Sequence, residues 1–591
     1  MTTTLLLCAV LLQAAAPGPA GSAPPASATP PASAAPPANA APPVAPAPAA
    51  APGSTTAPAA PAHDSIRVLA PTASADLLKD PQTRGRIKVF FASTDARVNP
   101  GDPCEGPFWE APQPIFSVGV DALTPGKAVD VGVDAAFYPV PMDQLAGTWR
   151  VQAVLDRDET ERTHLAPGNL LSQVETVTFD PATPQTVTLE LTTVVPKEAL
   201  PKMRNLQFVH MKSALLSQAA GRDVYMRAGV ALPPGWDDPS CPRRMWPTVY
   251  VVPGFGGRDM DAERYARMLS TPGSTAVAPQ AVWVVLDPES AWGHHGFVDS
   301  PANGPRGQAL VEELIPELER QFRLISRTEA RLVTGHSSGG WTALWLQLRY
   351  PEVFGACFAS SPDPVDFSAF QMVNLYADTS YFSDAEGKER PSYRTTVAQH
   401  FDKVHMTNRD ETGMEHAMDP DGRSGEQLDT YAAMWSALDP RTRLPRRAWD
   451  PETGLIDHGT VEREWSRYDI TRLVRTKPEY FVPLFRQRVR LLVGQQDNFY
   501  LELAVANLKA TLDQVAPVKE GTGGAAGGAA AGGAGGAASG AGGAAGNGAG
   551  SGAGAGYIEI LPEETHFTIP GTATLRWNRE IREYLKQHGL D

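Results

Sequence analysis

Apolar and polar positions follow two different rhythms along this chain. Between residues 64 and 200, short β-favouring runs are broken by Gly, Pro and Asp, as in Ile87–Phe91, Ile115–Val120, Trp149–Leu155 and Thr186–Leu191. Regular strands without convincing helices predict an all-β, sandwich-like domain. It would either pack against its neighbour or bind carbohydrate or substrate. From Asn205 onward, strand-like runs such as Thr248–Val252 and Ala281–Leu286 alternate with helical ones. Gly307–Phe322 is one predicted helix, with Leu310, Val311, Leu314, Leu318 and Phe322 on one face despite Pro316. Such alternation predicts an α/β fold over residues 201–591, a mostly parallel sheet covered by helices. Residues 366–485 are rich in charge and aromatics, including Trp435, Trp449, Trp465 and Tyr468. They follow a predicted strand, Phe354–Ala359, and so leave from the carboxyl edge of the sheet, where ligands bind. This stretch is expected to cap the site.

Three segments stand outside these rhythms. Residues 1–23 carry the apolar run Leu5–Leu12 and then small residues suited to cleavage, the pattern of a signal peptide, though without a basic start. Residues 24–63 are almost wholly Ala, Pro, Ser and Thr, which predicts a disordered, semi-rigid linker. Together they suggest a secreted, periplasmic or envelope protein. Residues 521–556 are nearly pure Gly and Ala between the predicted helix Leu501–Val515 and the predicted strand Tyr557–Ile560. They read as a disordered insertion on the amino edge of the sheet.

With 591 residues and 42% hydrophobic composition, the chain can build two cores. A net charge of -15 argues against nucleic acid and anionic membrane surfaces as partners. No segment is long and apolar enough for a transmembrane helix, and the oligomeric state is left open. Past the leader, Cys104, Cys241 and Cys357 give neither a zinc pattern nor a disulfide framework; a Cys104–Cys241 bridge is the one pairing to test.

Candidate chemistry centres on Gly335-His336-Ser337-Ser338-Gly339, where the strand-like Ala330–Thr334 turns into the helix-like Trp341–Leu348. Gly-x-Ser-x-Gly in that setting is a nucleophile elbow. The glycines spare the sharp turn a collision, and the helix start aims backbone N–H groups at a developing oxyanion. A serine nucleophile needs a histidine base held by a carboxylate, here in the chain order Ser, Asp, His. Asp497 stands on the loop past the predicted strand Val489–Val493, and His566 follows Tyr557–Ile560. Asp363, beside Pro364, is the rival acid. The second oxyanion donor is expected at Phe255 N–H in Pro253-Gly254-Phe255-Gly256-Gly257, joining Ser338 N–H. Trp292, His294 and His295 are expected to line the substrate pocket; adjacent histidines without a third ligand make a poor zinc site. No metal or organic cofactor is called for.

The turn Pro253–Gly257, the run Asp299–Pro305 leading to Glu312–Pro316, the elbow Gly335–Gly340 and Val493–Leu501 resemble the esterase branch of the α/β-hydrolases. That branch includes esterase D, feruloyl esterases, enterochelin esterases and mycolyltransferases. The resemblance covers Arg204 to the C-terminus and implies the same triad of Ser337, Asp497 and His566. It departs in the long cap, the Gly/Ala insertion, and Pro253 where many members carry His. The reading is a secreted serine esterase of small-molecule or glycan esters. An acyltransferase of the same fold, or a non-catalytic surface-binding protein, are the alternatives.

Overall fold

Thr248–Val252 is buried at all five positions, which an apolar run achieves only in the middle of a sheet covered on both faces. In the computed structural model, which describes residues 63–72, 84–397, 401–515 and 555–591, it lies near the centre of eight strands. The expected leader, linker and all but the last two residues of the Gly/Ala tract lie outside the described residues, except His63. The strands are β1 (Leu206–Lys212), β2 (Tyr225–Ala231), β3 (Thr248–Val252), β4 (Val282–Leu286), β5 (Arg331–His336), β6 (Ala356–Ser360), β7 (Val489–Gln496) and β8 (Tyr557–Thr565). They stand in the order β1-β2-β4-β3-β5-β6-β7-β8, with β2 antiparallel to its neighbours and the rest of the pairs parallel. This mixed α/β sheet agrees with the α/β-hydrolase expectation, and its carboxyl edge gathers the ends of β3, β5, β6, β7 and β8.

Local differences have local causes. The expected helix over Gly307–Phe322 runs as Arg306–Ala309, a π-turn at Leu310–Leu314 and Ile315–Phe322. Pro316 lacks an N–H, and the wider π-turn just before it absorbs the break in the ladder. The last helix begins at Ile569 rather than Thr574, because Pro570 occupies the first turn, where a missing N–H costs nothing. Cys104, Cys241 and Cys357 are all free, so the suggested Cys104–Cys241 bridge is absent; Cys104 is buried and Cys241 exposed.

Between residues 65 and 194 lie nine strands of one sheet, eight in a single hydrogen-bonded row and the ninth, Glu175–Phe179, paired to the side with Gly147–Asp156, with only 3-10 turns as helix among the described residues. Gly85–Ser93 explains how this sheet is used. Ile87, Val89 and Phe91 face the sheet's own core with Phe116, Val151 and Leu189. Phe90, on the opposite face, joins Ile115 and Val154 against Tyr393, Met406, Met414 and Met418 of the 366–485 stretch. A strand buried on both sides cannot alternate, and this one does not. The 366–485 stretch holds the hairpin Pro391–Val397/Phe401–Thr407 and the helices Asn408–Met418, Gln427–Trp435, His458–Arg463, Ile470–Thr476 and Pro478–Arg488. Its interior is aromatic: Tyr431 stacks on Trp435, which lies 5.4 Å from Trp341 in the helix after Ser337.

Candidate active site

The turn after β5 is too tight for side chains beyond the serine. A Cβ at Gly335 would overlap the Gly339 carbonyl, and one at Gly339 would overlap the Val252 carbonyl of β3. Ser337 takes φ 59°, ψ -129°, a region that L-residues rarely occupy, and its N–H donates to Ser360 O at 3.0 Å. The helix α1 (Ser338–Arg349) starts at the next residue, so its first N–H groups have no partner within the helix and face the turn.

β7 and β8 bring the other two groups together. They pair in register from Arg490↔Tyr557 to Gly494↔Leu561; a shift then sets Gln496 against Thr565. The extra residues of β8 fold over Gly494, where a Cβ would overlap the Glu564 carbonyl. The bulge delivers His566 to Asp497, with His566 Nδ1 2.9 Å from Asp497 Oδ2. Asn498 Oδ1 accepts the His566 N–H at 3.1 Å and fixes the backbone of the same loop. Asp497 is wholly buried and also accepts the Phe499 N–H at 2.9 Å. Burial raises its pKa, but the charge and hydrogen bond of His566 and the Phe499 N–H outweigh burial and hold it below the usual carboxylate range. A carboxylate there keeps the proton on Nδ1, which leaves Nε2 as the basic nitrogen. His336 packs 4.5 Å from the His566 ring and bonds Ser360 Oγ through Nδ1 at 3.0 Å. Burial drives its pKa well below the ordinary value, so it stays neutral.

Asp363 stands on the loop after β6 and bonds elsewhere. Its Oδ2 accepts from Gln427 Nε2 at 3.4 Å, and the same Gln427 accepts from Ser338 Oγ at 3.3 Å. Burial lifts its pKa to about 6, tempered by the Ser338 and Tyr431 hydroxyls.

The loop after β3 crosses Ser337. A Cβ on Gly254 would lie 3.1 Å from His336 O and 3.3 Å from Ser337 Cβ, a tight fit that glycine relieves. Gly257 N–H closes the turn onto Gly254 O at 3.0 Å, and Gly256 sits at φ 78°. Phe255 is therefore held between two glycines beside Ser337. His294 Nε2 donates to Pro253 O at 3.0 Å while its Nδ1 accepts the Gly296 N–H at 3.2 Å. Burial lowers the His294 pKa to about 4, in keeping with a neutral ring.

The histidines expected to line the pocket lie in the interior. His294 is fully buried with both nitrogens on backbone groups, and His295 is equally buried, edge-on to Phe297, with Nδ1 accepting the Phe297 N–H. His294 thereby braces the loop after β3 from behind. Trp292 is half-buried and lies under the guanidinium of Arg423 at 4.7 Å. Neither the brace from His294 nor the tether from Asn498 is visible in sequence spacing, although Asn498 adjoins Asp497. Among the described residues, no group of three or more His, Cys, Asp or Glu is placed to hold a metal. None of the described helices is long and apolar enough to cross a membrane.

The family model described as Putative esterase matches residues 217–520. The iron(III) enterobactin esterase of Escherichia coli O6:H1 is 26% identical over an alignment of 159 residues, which takes in 22% of this chain and 39% of the relative's length. Among solved structures, an S-formylglutathione hydrolase from Agrobacterium tumefaciens overlays with a TM-score of 0.34 at 15% identity, covering 66% of this chain and 98% of that one. The fluorophosphonate-binding serine hydrolase F of Staphylococcus aureus gives 0.32 at 11% identity, covering 64% and 98%. Overlays this loose add nothing to the sheet order described above.

Proposed function

Because the chain belongs to the Putative esterase family, we propose that it is a serine carboxylic-ester hydrolase working through an acyl-enzyme on Ser337. His566 is the base and Asp497 the group that orients it. The observation that carries this reading is the 2.9 Å contact of His566 Nδ1 with a buried, ionised Asp497, on loops that adjoin the strained Ser337.

Ser337 Oγ attacks the ester carbonyl carbon, and its proton passes to His566 Nε2. The carbonyl oxygen becomes an oxyanion and accepts from the N–H groups of Phe255 and Ser338. Collapse expels the alcohol, which leaves with the proton from Nε2. Water then gives a proton to Nε2, attacks the acyl carbon, and frees the acid and Ser337. The Asp497 carboxylate stabilises the imidazolium in both halves without itself taking a proton.

The stretch 366–485 acts as the cap, with Gln427 reaching both Ser338 and Asp363. Residues 64–200 form an N-terminal β-domain that packs beneath that cap, and 201–591 form the esterase domain. The leader and linker direct the enzyme to the periplasm, the envelope or the medium. The net charge of -15 and the capping stretch suit small-molecule or glycan esters.

The test uses p-nitrophenyl acyl esters of graded length beside feruloyl and acetyl-sugar esters, with fluorophosphonate labelling. Wild type should turn over at least one ester and label at Ser337. Ser337→Ala should lose on the order of 10³-fold or more in kcat and all labelling. Full activity in that variant would end the proposal.

A further inference from the structure

A glycine-rich loop has little stiffness of its own, so the place of the Phe255 N–H must be imposed by what surrounds it. Three contacts do this. His294 holds Pro253 from behind. The other two come from residues 157–168, a loop of the N-terminal β-region outside the span matched by the family model. Its consecutive residues Glu161 and Arg162 grip the loop on either side of Gly256 and Gly257. Glu161 pairs with Arg258 at 3.4 Å and with Arg227 of β2 at 2.6 Å. Arg162 lays its guanidinium 4.5 Å from the Phe255 ring centre. A Cβ at Gly256 would lie 3.2 Å from Arg162 Nη2, so the contact is close.

Arg162 is itself fixed. Its Nε donates to Glu289 Oε1 at 2.8 Å and its Nη1 to Glu426 Oε1 at 3.4 Å, and the side chain is only 16% exposed. Glu289 pairs across a two-residue ladder with His294, so both braces of the loop meet on one small hairpin. Glu426 belongs to the capping stretch, next to Gln427. The carbonyl of Arg162 lies where a Cβ on Gly425 would sit, at 2.6 Å, so the β-region loop is also wedged against that stretch. Two carboxylates already neutralise the guanidinium, which argues for a structural clamp over a substrate-anion site. The loop that presents it is rigid: Asn169 Oδ1 accepts the Arg157 and Asp158 N–H groups, and Asp158 Oδ1 accepts those of Thr160 and Glu161.

We propose that Arg162 is a positioning residue that holds Phe255 N–H in line with the developing oxyanion, which makes the N-terminal β-region part of the active site and not an appended binding module. The proposal rests on the esterase reading above. An oxyanion donor works only within a few tenths of an ångström of its place, so a loosened clamp lowers kcat while leaving ground-state binding nearly alone.

Three variants of the full chain test it. Arg162→Lys keeps the charge but not the planar fork. The triple variant Arg162→Met/Glu289→Gln/Glu426→Gln removes the cluster without stranding a buried charge. Phe255→Leu keeps the backbone donor and removes the ring that Arg162 grips. Each is measured for kcat and KM on one small p-nitrophenyl ester, for fluorophosphonate labelling rate, and for Tm. The expected result is a kcat at least about tenfold lower, KM within about threefold, and labelling slowed in proportion, with Arg162→Lys the mildest. A folded triple variant or Arg162→Lys with wild-type kcat, or a loss confined to KM, overturns the proposal. If neither of those folds, Phe255→Leu decides, and wild-type kcat there overturns it equally. A wild type that neither turns over nor labels ends the esterase reading and this proposal with it; an active wild type beside equally active variants ends this proposal alone.

Discussion

Two buried carboxyls flank the nucleophile, and replacing each by its amide should separate them sharply. Asp497 faces two donors, His566 Nδ1–H at 2.9 Å and Phe499 N–H at 2.9 Å. An asparagine there has one acceptor for two donors. If its oxygen keeps Phe499, its NH2 faces Nδ1 and forces the proton onto Nε2, where it blocks the base. If it flips, NH2 meets the Phe499 N–H and a buried donor goes unpaired. Either way the imidazolium loses its counter-charge. Loss of the correct tautomer costs a triad about 10⁴-fold in kcat, or about 5.4 kcal/mol of barrier. Asp363 touches neither imidazole nitrogen and bonds Gln427 instead, which an amide can also do after rotation. Asp363→Asn should therefore stay within about tenfold of wild type. Steady-state kcat at pH 7.5 on a p-nitrophenyl ester, with circular dichroism to confirm folding, gives the comparison. A hundredfold loss in Asp363→Asn beside a nearly active Asp497→Asn would mean that His566 is oriented from the other side.

Gly339→Ala should cost several kcal/mol of stability or fail to fold, since its methyl would overlap the Val252 carbonyl; a Tm within a degree or two of wild type would contradict the packing. Replacing residues 523–554 by a short Gly-Ser turn should leave turnover of small and bulky esters within about twofold, because the chain re-enters at Tyr557, the end of β8 opposite His566. A selective loss on either ester would place that segment at the site. Asp363 gives a pH test. Its folded pKa, about 6, lies above its unfolded value of 3.8, so its contribution is fully present below 3.8 and is lost as pH rises through 6. Urea unfolding from pH 4 to 7.5 should show wild type losing stability relative to Asp363→Asn, by up to about 3 kcal/mol at about 1.4 kcal/mol per pH unit. A flat difference would show that the carboxyl is not desolvated.

The elements legible in sequence were those whose signal is local. β3 begins and ends where its apolar run does, and the elbow announces itself through glycines that a tight turn needs. Asp497 and His566 were reachable because strand order restricts where an acid and a base can stand. What stayed hidden depends on partners far away in the chain. Nothing in the composition of Arg157-Asp158-Glu159-Thr160-Glu161-Arg162 shows that Arg162 is half-buried with its guanidinium over Phe255. His294 carries the pattern of a pocket residue, yet its neighbour is the Pro253 carbonyl, set by how β3 and β4 pack side by side. The β-region's strands were visible, but not that Phe90 would turn outward into methionines more than 300 residues later. Burial on the second face of a sheet is a tertiary fact.

β8 closes the row of strands and is hydrogen-bonded within the sheet to β7 alone, while the helix Ile569–Gln587 straps it through Arg576 to Glu559 at 2.6 Å. His566 thus rides on the rim, and Ser337 follows a strand anchored between β3 and β6 in the interior. Rims open before interiors do. Warming should then unhook His566 while the tryptophans around Trp435 remain packed, so that ester turnover fails at a lower temperature than fluorescence reports melting. Cooling would restore it without any refolding of the centre. The enzyme's working ceiling is set by how long one border strand stays seated, and the durability of its core is a separate quantity.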